Sequence, residues 1–365
     1  MRVLFWIPYP TEGASNRYRI EQYLPYLKKA GIEYTLRPFW NTAAFKVLYK
    51  NGYCLKKIYF FILGTIFRFL DLVQISKYDI VFIHREAYPL YGVSFETILW
   101  ILRKPLIFDF DDAIFLSNSS RPNSFIEKFK NPNRVAKIIK MSNYIIAGNR
   151  YLADFALRYN PNVAIIPTPI DTDRFYPANN KKHDGKITIG WIGSVTTVDF
   201  LNTLKNAFIE LLKDSNNITL KIVGGNFYIK NIPNIISKQW SLDEEIEDVR
   251  SFDIGIMPMP ENEWTICKCG LKAILYMSMG IPCVCSSVGV NKEIIIEGVN
   301  GFLADTQDEW VRKLSLLIQD SQLRQRIGLG GRKTVEERYS VRVNAPKVLG
   351  IIQRVYNEHY RQGSI

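Results

Sequence analysis

Cysteine is scarce in this sequence and histidine scarcer, with five and three residues in a chain of 365. A small, odd number of thiols in so long a chain does not make a disulfide scaffold, and a reducing cytoplasm is the default setting. No signal-peptide pattern precedes the first apolar stretch. Long hydrophobic runs are missing too. The nearest, Ile58 to Phe67, is followed by Arg68 and Asp71 and covers about half of the ~20 residues a membrane-spanning helix needs, so an integral membrane protein is not expected. The G-x-G-x-x-G fingerprint of dinucleotide binding is not found after the first strand, where a single Gly13 stands. An acidic excess is also lacking. Lys and Arg number 47 against 35 Asp and Glu, a formal charge of +12, which favours an anionic partner: nucleotide, phosphate, nucleic acid or acidic membrane.

What is present is apolar material in a regular order. With 47% hydrophobic residues and 22% charged, the chain can bury two cores, and its length exceeds the ~250 residues at which single cores stop growing. Short Val- and Ile-rich runs, each followed by a turn and a helical pattern, read as parallel strands buried on both faces. One series falls at Arg2–Ile7, Ile80–Ile83, Pro105–Phe110, Tyr144–Ile146 and Val163–Ile166; a second at Ile187–Ile192, Thr219–Val223, Ile254–Met257 and Pro282–Cys285. Ile20, Tyr23, Leu24 and Leu27 predict a helix that stops at Gly31, with Pro25 placed to kink it. The proline-bearing crossing Ile166–Pro177 and the polar stretch Ala178–Lys186 separate the two series. The expected fold class is α/β, with an N-terminal domain over 1–170, a C-terminal domain over 171–340 and a tail over 341–365.

In a parallel sheet the ligand lies beyond the carboxyl ends of the strands, so the segments there are the candidates. After the first strand comes Pro10–Arg19, in which Gly13 permits close backbone approach, the next helix offers amides toward an anion, and Arg17 and Arg19 add charge. A plain turn with an N-cap explains the same residues. The third strand ends in Asp109-Phe110-Asp111-Asp112. Alternation puts Asp109 and Asp111 on one face, where crowding is expected to raise at least one pKa and suit acid–base work or hydroxyl binding. A solvated acidic turn is the alternative. His84, in His84-Arg85-Glu86 at the end of the second strand, is one of only three histidines and so a candidate, although a lone histidine is more often structural.

The second series opens with a strand running into Gly193 and Ser194, where a phosphate can approach closely. The densest segment is Glu261–Lys272. A helix beginning after Gly270 would aim its amides and dipole at a diphosphate, with Lys268 and Lys272 neutralising the same anion. The competing explanation is a core helix with two solvated lysines. Cys267-x-Cys269 and Cys283-x-Cys285 are too closely spaced for a structural zinc site, and a buried strand accounts for the second pair; no metal and no cofactor are expected. Between Asn41 and Leu72, lysines alternate with Phe45, Tyr49, Tyr53, Tyr59, Phe60 and Phe61, a mixture that suits either a membrane-interface helix or a core helix with a solvated edge.

Taken in order and spacing, these pieces resemble the retaining glycosyltransferases of family four, the group one glycosyl transferases. The resemblance covers nearly the whole chain. It rests on the Gly13 loop, Ile107–Asp112, Gly148-Asn149-Arg150-Tyr151-Leu152, Ile166–Asp171, Ile189–Ser194, Asp253–Pro258, and above all Lys268-Cys269-Gly270-Leu271-Lys272 continuing to Gly280-Ile281-Pro282, Val288–Ile294 and Asn300–Leu303. It implies the GT-B architecture, two Rossmann-like domains with parallel sheets facing across a cleft, and a retaining, hexosyltransferase-type enzyme. Gly193 and Ser194 would then approach the donor diphosphate, Gly270, Leu271 and Lys272 would hold diphosphate and sugar, the Gly13 loop would close over the reacting centre, and the tail would pack back on the N-terminal domain. Two departures stand out. The two glutamates common in the family, eight positions apart, are replaced by Cys267 and Leu275, so ribose recognition has to come from elsewhere, with Glu263 the candidate for the sugar-side carboxylate. The basic residue that many relatives carry after the second-domain glycine turn is missing from Val195–Phe200, which moves charge neutralisation to Lys268 and Lys272.

The expected function is transfer of a sugar from a nucleotide-sugar donor to a saccharide or lipid-linked saccharide hydroxyl, in polysaccharide or glycolipid assembly, metal-independent and with retention. Fixed amides and lysines lower the barrier by stabilising the leaving diphosphate as its charge develops, while Asp111 or Asp112 orients the acceptor hydroxyl. The expected location is the cytoplasm, with attachment to the inner membrane face. Three rivals are a nucleotide-sugar epimerase, a non-catalytic partner that kept the fold but lost the glutamates, and a nucleic-acid binder, the last without any accompanying recognition motif.

Overall fold

The protein is described from a computed structural model covering residues 1–50, 52–89, 92–116, 133–177, 185–213 and 215–361. Most of the polar stretch Ala178–Lys186 lies outside the described residues. The chain divides into two compact units, Met1–Pro169 with Asn344–Ile365, and Ile170–Val343.

The first unit holds a six-stranded parallel sheet of β1 (Arg2–Ile7), β2 (Glu33–Pro38), β3 (Ile80–His84), β4 (Leu106–Phe110), β5 (Tyr144–Ala147) and β6 (Val163–Ile165), in the order β2-β1-β3-β4-β5-β6. Its helices are α1 (Ala14–Arg19), α2 (Leu24–Lys29), α3 (Thr42–Leu48), α4 (Cys54–Val73), α5 (Ser94–Ile101), α6 (Arg134–Met141) and α7 (Arg150–Leu157). The second unit repeats the plan with β7 (Ile187–Ile192), β8 (Ile218–Val223), β9 (Ile235–Lys238), β10 (Ile254–Met257), β11 (Cys283–Ser286) and β12 (Phe302–Ala304), in the order β12-β11-β10-β7-β8-β9. Around them lie α8 (Lys205–Leu212), α9 (Glu245–Arg250), α10 (Leu271–Ser278), α11 (Asn291–Ile294), α12 (Gln307–Gln319) and α13 (Ser321–Thr334). Last comes α14 (Val341–Arg361), which from Asn344 onward groups with the first unit. Two six-stranded parallel sheets flanked by helices make this a GT-B fold of two Rossmann-like domains.

Central strands are where the chain is most apolar. β3 and β4 are buried at every position, and both needed Val-, Ile- and Phe-rich runs because helices cover both faces. Three strands beyond the nine expected appear: β2, β9 and β12. Each is at a sheet edge, and β2 and β9 are largely open to solvent. The helix expected across Ile20–Leu27 is instead a 3₁₀ turn over Glu21–Tyr23 followed by α2, with α1 ending just before it. Pro25 sits in the first turn of α2, where its missing N–H costs no hydrogen bond.

Each sheet reverses its winding direction once. In the first unit the switch falls between β1 and β3, and in the second between β7 and β10. Adjacent connections leave in opposite directions at such a point and open a crevice at the carboxyl ends of the strands.

Candidate active site

At the switch point of the first sheet, one hydrogen-bonded chain runs through residues from three elements. Asp109, buried on β4, accepts from Arg19 of α1 through Nη2, and from Arg19 Nε at 3.3 Å. Its Oδ2 also takes His84 Nδ1 at 2.6 Å, from the end of β3. On its other side the His84 ring places Nε2 2.5 Å from Ser15 Oγ on α1. Ser15 Oγ in turn lies 3.1 and 3.2 Å from the two Asp111 oxygens. Arg85 Nε donates to Asp111 Oδ1 at 2.6 Å, and Arg85 Nη2 is 3.8 Å from Asp112. Arg85 reaches there because its backbone adopts φ 61°, an uncommon conformation for a residue with a side chain.

This arrangement corrects two expectations. Arg19 does not offer charge to a ligand, since its guanidinium is buried against Asp109 and the Ile166 carbonyl, the latter at 2.6 Å. Arg17 is buried as well and donates to the Thr11 carbonyl at 2.9 Å. Gly13 caps α1, which is only six residues long. Nor does crowding raise the Asp111 carboxyl. Burial pushes it up, but the Arg85 guanidinium and then His84 outweigh that and hold it well below the ordinary carboxylate range. Asp111 is therefore a carboxylate at neutral pH, a hydrogen-bond acceptor rather than a proton donor.

The second unit has a candidate site of its own, built from β7, β10 and α10. Tyr276 on α10 accepts from the Ile192 amide at 3.1 Å and donates to the Ile256 carbonyl at 3.3 Å, which pins the helix to both strands of the switch point. Gly270 caps α10 with φ 68°, and an added Cβ would meet Ile294 Cδ1 at 2.2 Å. Gly270 itself is buried. Leu271 and Lys272 at the helix start are half-buried, and no side chain caps that N-terminus, so its leading amides can serve an anion.

Lys272 leaves this first turn beneath Gly193. A Cβ at Gly193 would collide with the Trp191 ring at 2.4 Å and meet Lys272 Cε at 3.0 Å. The glycine therefore makes room for the lysine; its own amide is used by the Val223 carbonyl at 3.0 Å. Lys272 Nζ sits 5.5 Å from the Trp191 ring centroid and Lys268 Nζ 3.6 Å from that of Trp264. Burial first, and the Lys268 ammonium second, lower the Lys272 pKa to about 8. Two ammonium groups near each other at a helix start favour a polyanion.

Ser194 is exposed, with Oγ 2.7 Å from Thr196 Oγ1. Glu263 is exposed on the turn before Thr265, and no ion pair to it occurs among the described residues. Cys267 and Leu275 are buried, as are Cys283 and Cys285 within β11. Leu275 thus adds to the core of the second unit and offers nothing to a ribose.

Residues 186–320 match the family described as Glycosyl transferases group 1. Over those residues the chain is similar to the group 1 glycosyltransferases. It is similar to the Staphylococcus aureus capsular polysaccharide biosynthesis glycosyltransferase CapM, 19% identical over 297 residues, which cover 77% of this chain and 71% of CapM. In structure it is similar to Anabaena HepE, solved with UDP-glucose, at a TM-score of 0.68 and 15% identity, covering 97% of this chain and 100% of HepE. It is also similar to the sucrose-phosphate synthase of Thermosynechococcus elongatus, at a TM-score of 0.70 and 14% identity, covering 98% and 99% of the two chains. At such identities the structural likeness speaks for the fold. The family match covers β7 to α12, the stretch that contains Gly193, Gly270 and both lysines.

Ser15 and Arg85 carry weight in the site of the first unit that the sequence reading did not give them, and Arg19 and His84 do so as partners of Asp109. The available signal was topological. His84 ends one strand flanking the reversal and Ser15 follows the other, so both were bound to meet there.

Proposed function

We propose that this protein is a glycosyltransferase that moves a sugar from a nucleoside-diphosphate sugar to an acceptor hydroxyl, with retention and without a metal ion. The observation that carries the reading is the lysine pair at the uncapped start of α10, with Lys272 admitted beneath Gly193. Cleavage of the sugar–phosphate bond develops negative charge on the departing diphosphate, and preorganised amides and ammonium groups stabilise that charge more as it grows. The positive charge a divalent ion would bring is supplied by the lysines. The leaving phosphate takes part in deprotonating the acceptor, while Asp111, held ionised by Arg85, orients its hydroxyl. CapM is named for capsular polysaccharide biosynthesis and HepE was solved with UDP-glucose; an assembly step of a surface polysaccharide or glycolipid, with a hexose donor, follows by analogy.

A thermal-shift panel of UDP, GDP and ADP with their sugars tests this, because a ligand bound to the folded state raises its melting temperature by mass action. A shift of several degrees with one nucleotide series is the expected result. No shift with any of them would favour a non-catalytic partner, the reading that Cys267 and Leu275 support.

The same proposal places the enzyme on an anionic membrane surface at the inner face. α4 is turned inside out: its charged Arg68 and Asp71 are 0% and 5% exposed, whereas Leu55 and Val73 are 83% and 81% exposed. Ile58, Ile62, Phe69 and, on α5, Trp100 and Ile101 extend the open apolar surface, while Lys46, Lys50 and Lys56 stand exposed at one end. No helix among the described residues is long and apolar enough to cross a membrane. An apolar face with lysines at its margin suits a helix lying in acidic headgroups.

A further inference from the structure

Buried polar atoms in folded proteins nearly always find a hydrogen-bond partner, so one that has none marks a place for a water or a ligand. Asn291, at the start of α11, carries such an atom: the residue is 0% exposed and its Oδ1 meets no donor. The orientation of the amide is fixed by its other end. Nδ2 donates to the Ser286 carbonyl at 2.9 Å, and a carbonyl takes only a donor, so Oδ1 must face the opposite way. Ser286 is itself held, its Oγ accepting from the Met259 amide at 2.9 Å. Oδ1 faces the start of α10. A Cβ built on Gly270 would stand 3.6 Å from it, and the two atoms nearer to that place, Ile294 Cδ1 and Val290 Cγ2, are methyl carbons with no hydrogen bond to give.

A lone pair beside the uncapped first turn of α10 does not suit the diphosphate itself. Joined to a sugar, that group bears no proton at neutral pH, and Oδ1 would repel its oxygens. What suits Oδ1 is a hydrogen-bond donor covalently close to the phosphate. In a nucleoside-diphosphate sugar the nearest is the sugar hydroxyl on the carbon adjoining the anomeric one, because the ribose hydroxyls lie beyond a further methylene group. We propose that Asn291 is a specificity-determining residue for the donor sugar: its Oδ1 accepts a hydrogen bond from that hydroxyl, which enters as the tip of Ile294 changes rotamer. The proposal rests on the reading of the α10 start as the diphosphate site. It makes the protein select sugars with a hydroxyl at that carbon over their deoxy counterparts.

The test is isothermal titration of wild type and Asn291→Leu with UDP, GDP and ADP, and with the glucose and 2-deoxyglucose derivatives of each. In wild type the 2-deoxy donor is expected to bind about three- to tenfold more weakly than the glucose donor. In Asn291→Leu the two donors are expected to bind alike, with the bare nucleoside diphosphate bound as in wild type. Equal discrimination by both proteins overturns the proposal. So does a loss already complete with the bare nucleoside diphosphate, which would assign Asn291 to the ribose or to the folding of the site. Leucine leaves the Ser286 carbonyl without its donor, so a crystal structure of wild type with the glucose donor supplies a second reading. A sugar hydroxyl within hydrogen-bond reach of Oδ1 is expected there, and an ordered water in its place overturns the proposal. If no nucleotide binds the wild type, the diphosphate reading itself has failed and the inference falls with it.

Discussion

Lys272 shows how function and stability oppose each other at a single residue. Its folded pKa of about 8 lies below the ordinary 10.5, so holding the proton costs the empty protein stability. For a cation whose folded pKa is depressed, the unfolded chain binds the proton more readily; the penalty is full below about pH 8 and is relieved as pH rises toward the ordinary lysine value. Lys272→Met is therefore expected to raise the melting temperature of the ligand-free protein. Discounted for partial exposure, the gain is about 1 kcal/mol, or ~2–4 °C in a unit of this size, and calorimetry should find it larger at pH 7 than at pH 10. The same substitution should weaken nucleoside-diphosphate binding at least tenfold by isothermal titration. In wild type that affinity should fall as pH rises through about 8 and Lys272 loses its charge. The lysine pair was legible in the sequence because its residues are four apart beside a glycine and a helix start. The Asp109–His84–Ser15 chain was not, because its members are separated by 25 and 69 positions and only the sheet order makes them neighbours.

Among the elements, α4 departs furthest from ordinary amphipathic behaviour. Asp71 accepts from Trp6 Nε1 at 3.0 Å and from Arg37 Nε at 2.9 Å, and Arg68 donates to the Ala87 carbonyl at 2.8 Å. These inward polar contacts fix which face points out, and that face is apolar. The double substitution Ile62→Asp, Phe69→Asp should abolish co-sedimentation with vesicles of acidic phospholipid and leave the nucleotide-induced thermal shift intact. Unchanged co-sedimentation would remove α4 from the membrane contact. The aromatic and basic character of this stretch could be read in advance, but its burial pattern could not, since periodicity gives the apolar face without saying whether that face turns inward. Edge strands pose the complementary difficulty. β2, β9 and β12 lack the long Val and Ile runs of central strands because a sheet margin needs burial on fewer sides.

At the scale of the whole molecule, the last helix belongs to two units. Ala345, Val348, Ile352 and Val355 are buried, and Arg354 lies over the Tyr144 ring at 5.5 Å, so α14 completes the first unit after the chain has built the second. Truncation after Val343 should cost the first unit about 5 kcal/mol or more, at ~1.5–3 kcal/mol for each buried aliphatic side chain. Limited proteolysis should then cleave the first unit preferentially while the nucleotide-induced shift of the second survives; equal sensitivity of both units would contradict this role for α14.

Sequence alone determined the two parallel sheets, their central strands and the Gly193 and Gly270–Lys272 segments, because these depend on local apolar runs and on short-range spacing. Tertiary structure decided which charges are spent inside, as with Arg19 on Asp109, and which strand ends meet. Strand order brings together groups far apart in the chain, and burial sets the dielectric in which they ionise; neither is written in any local stretch of residues.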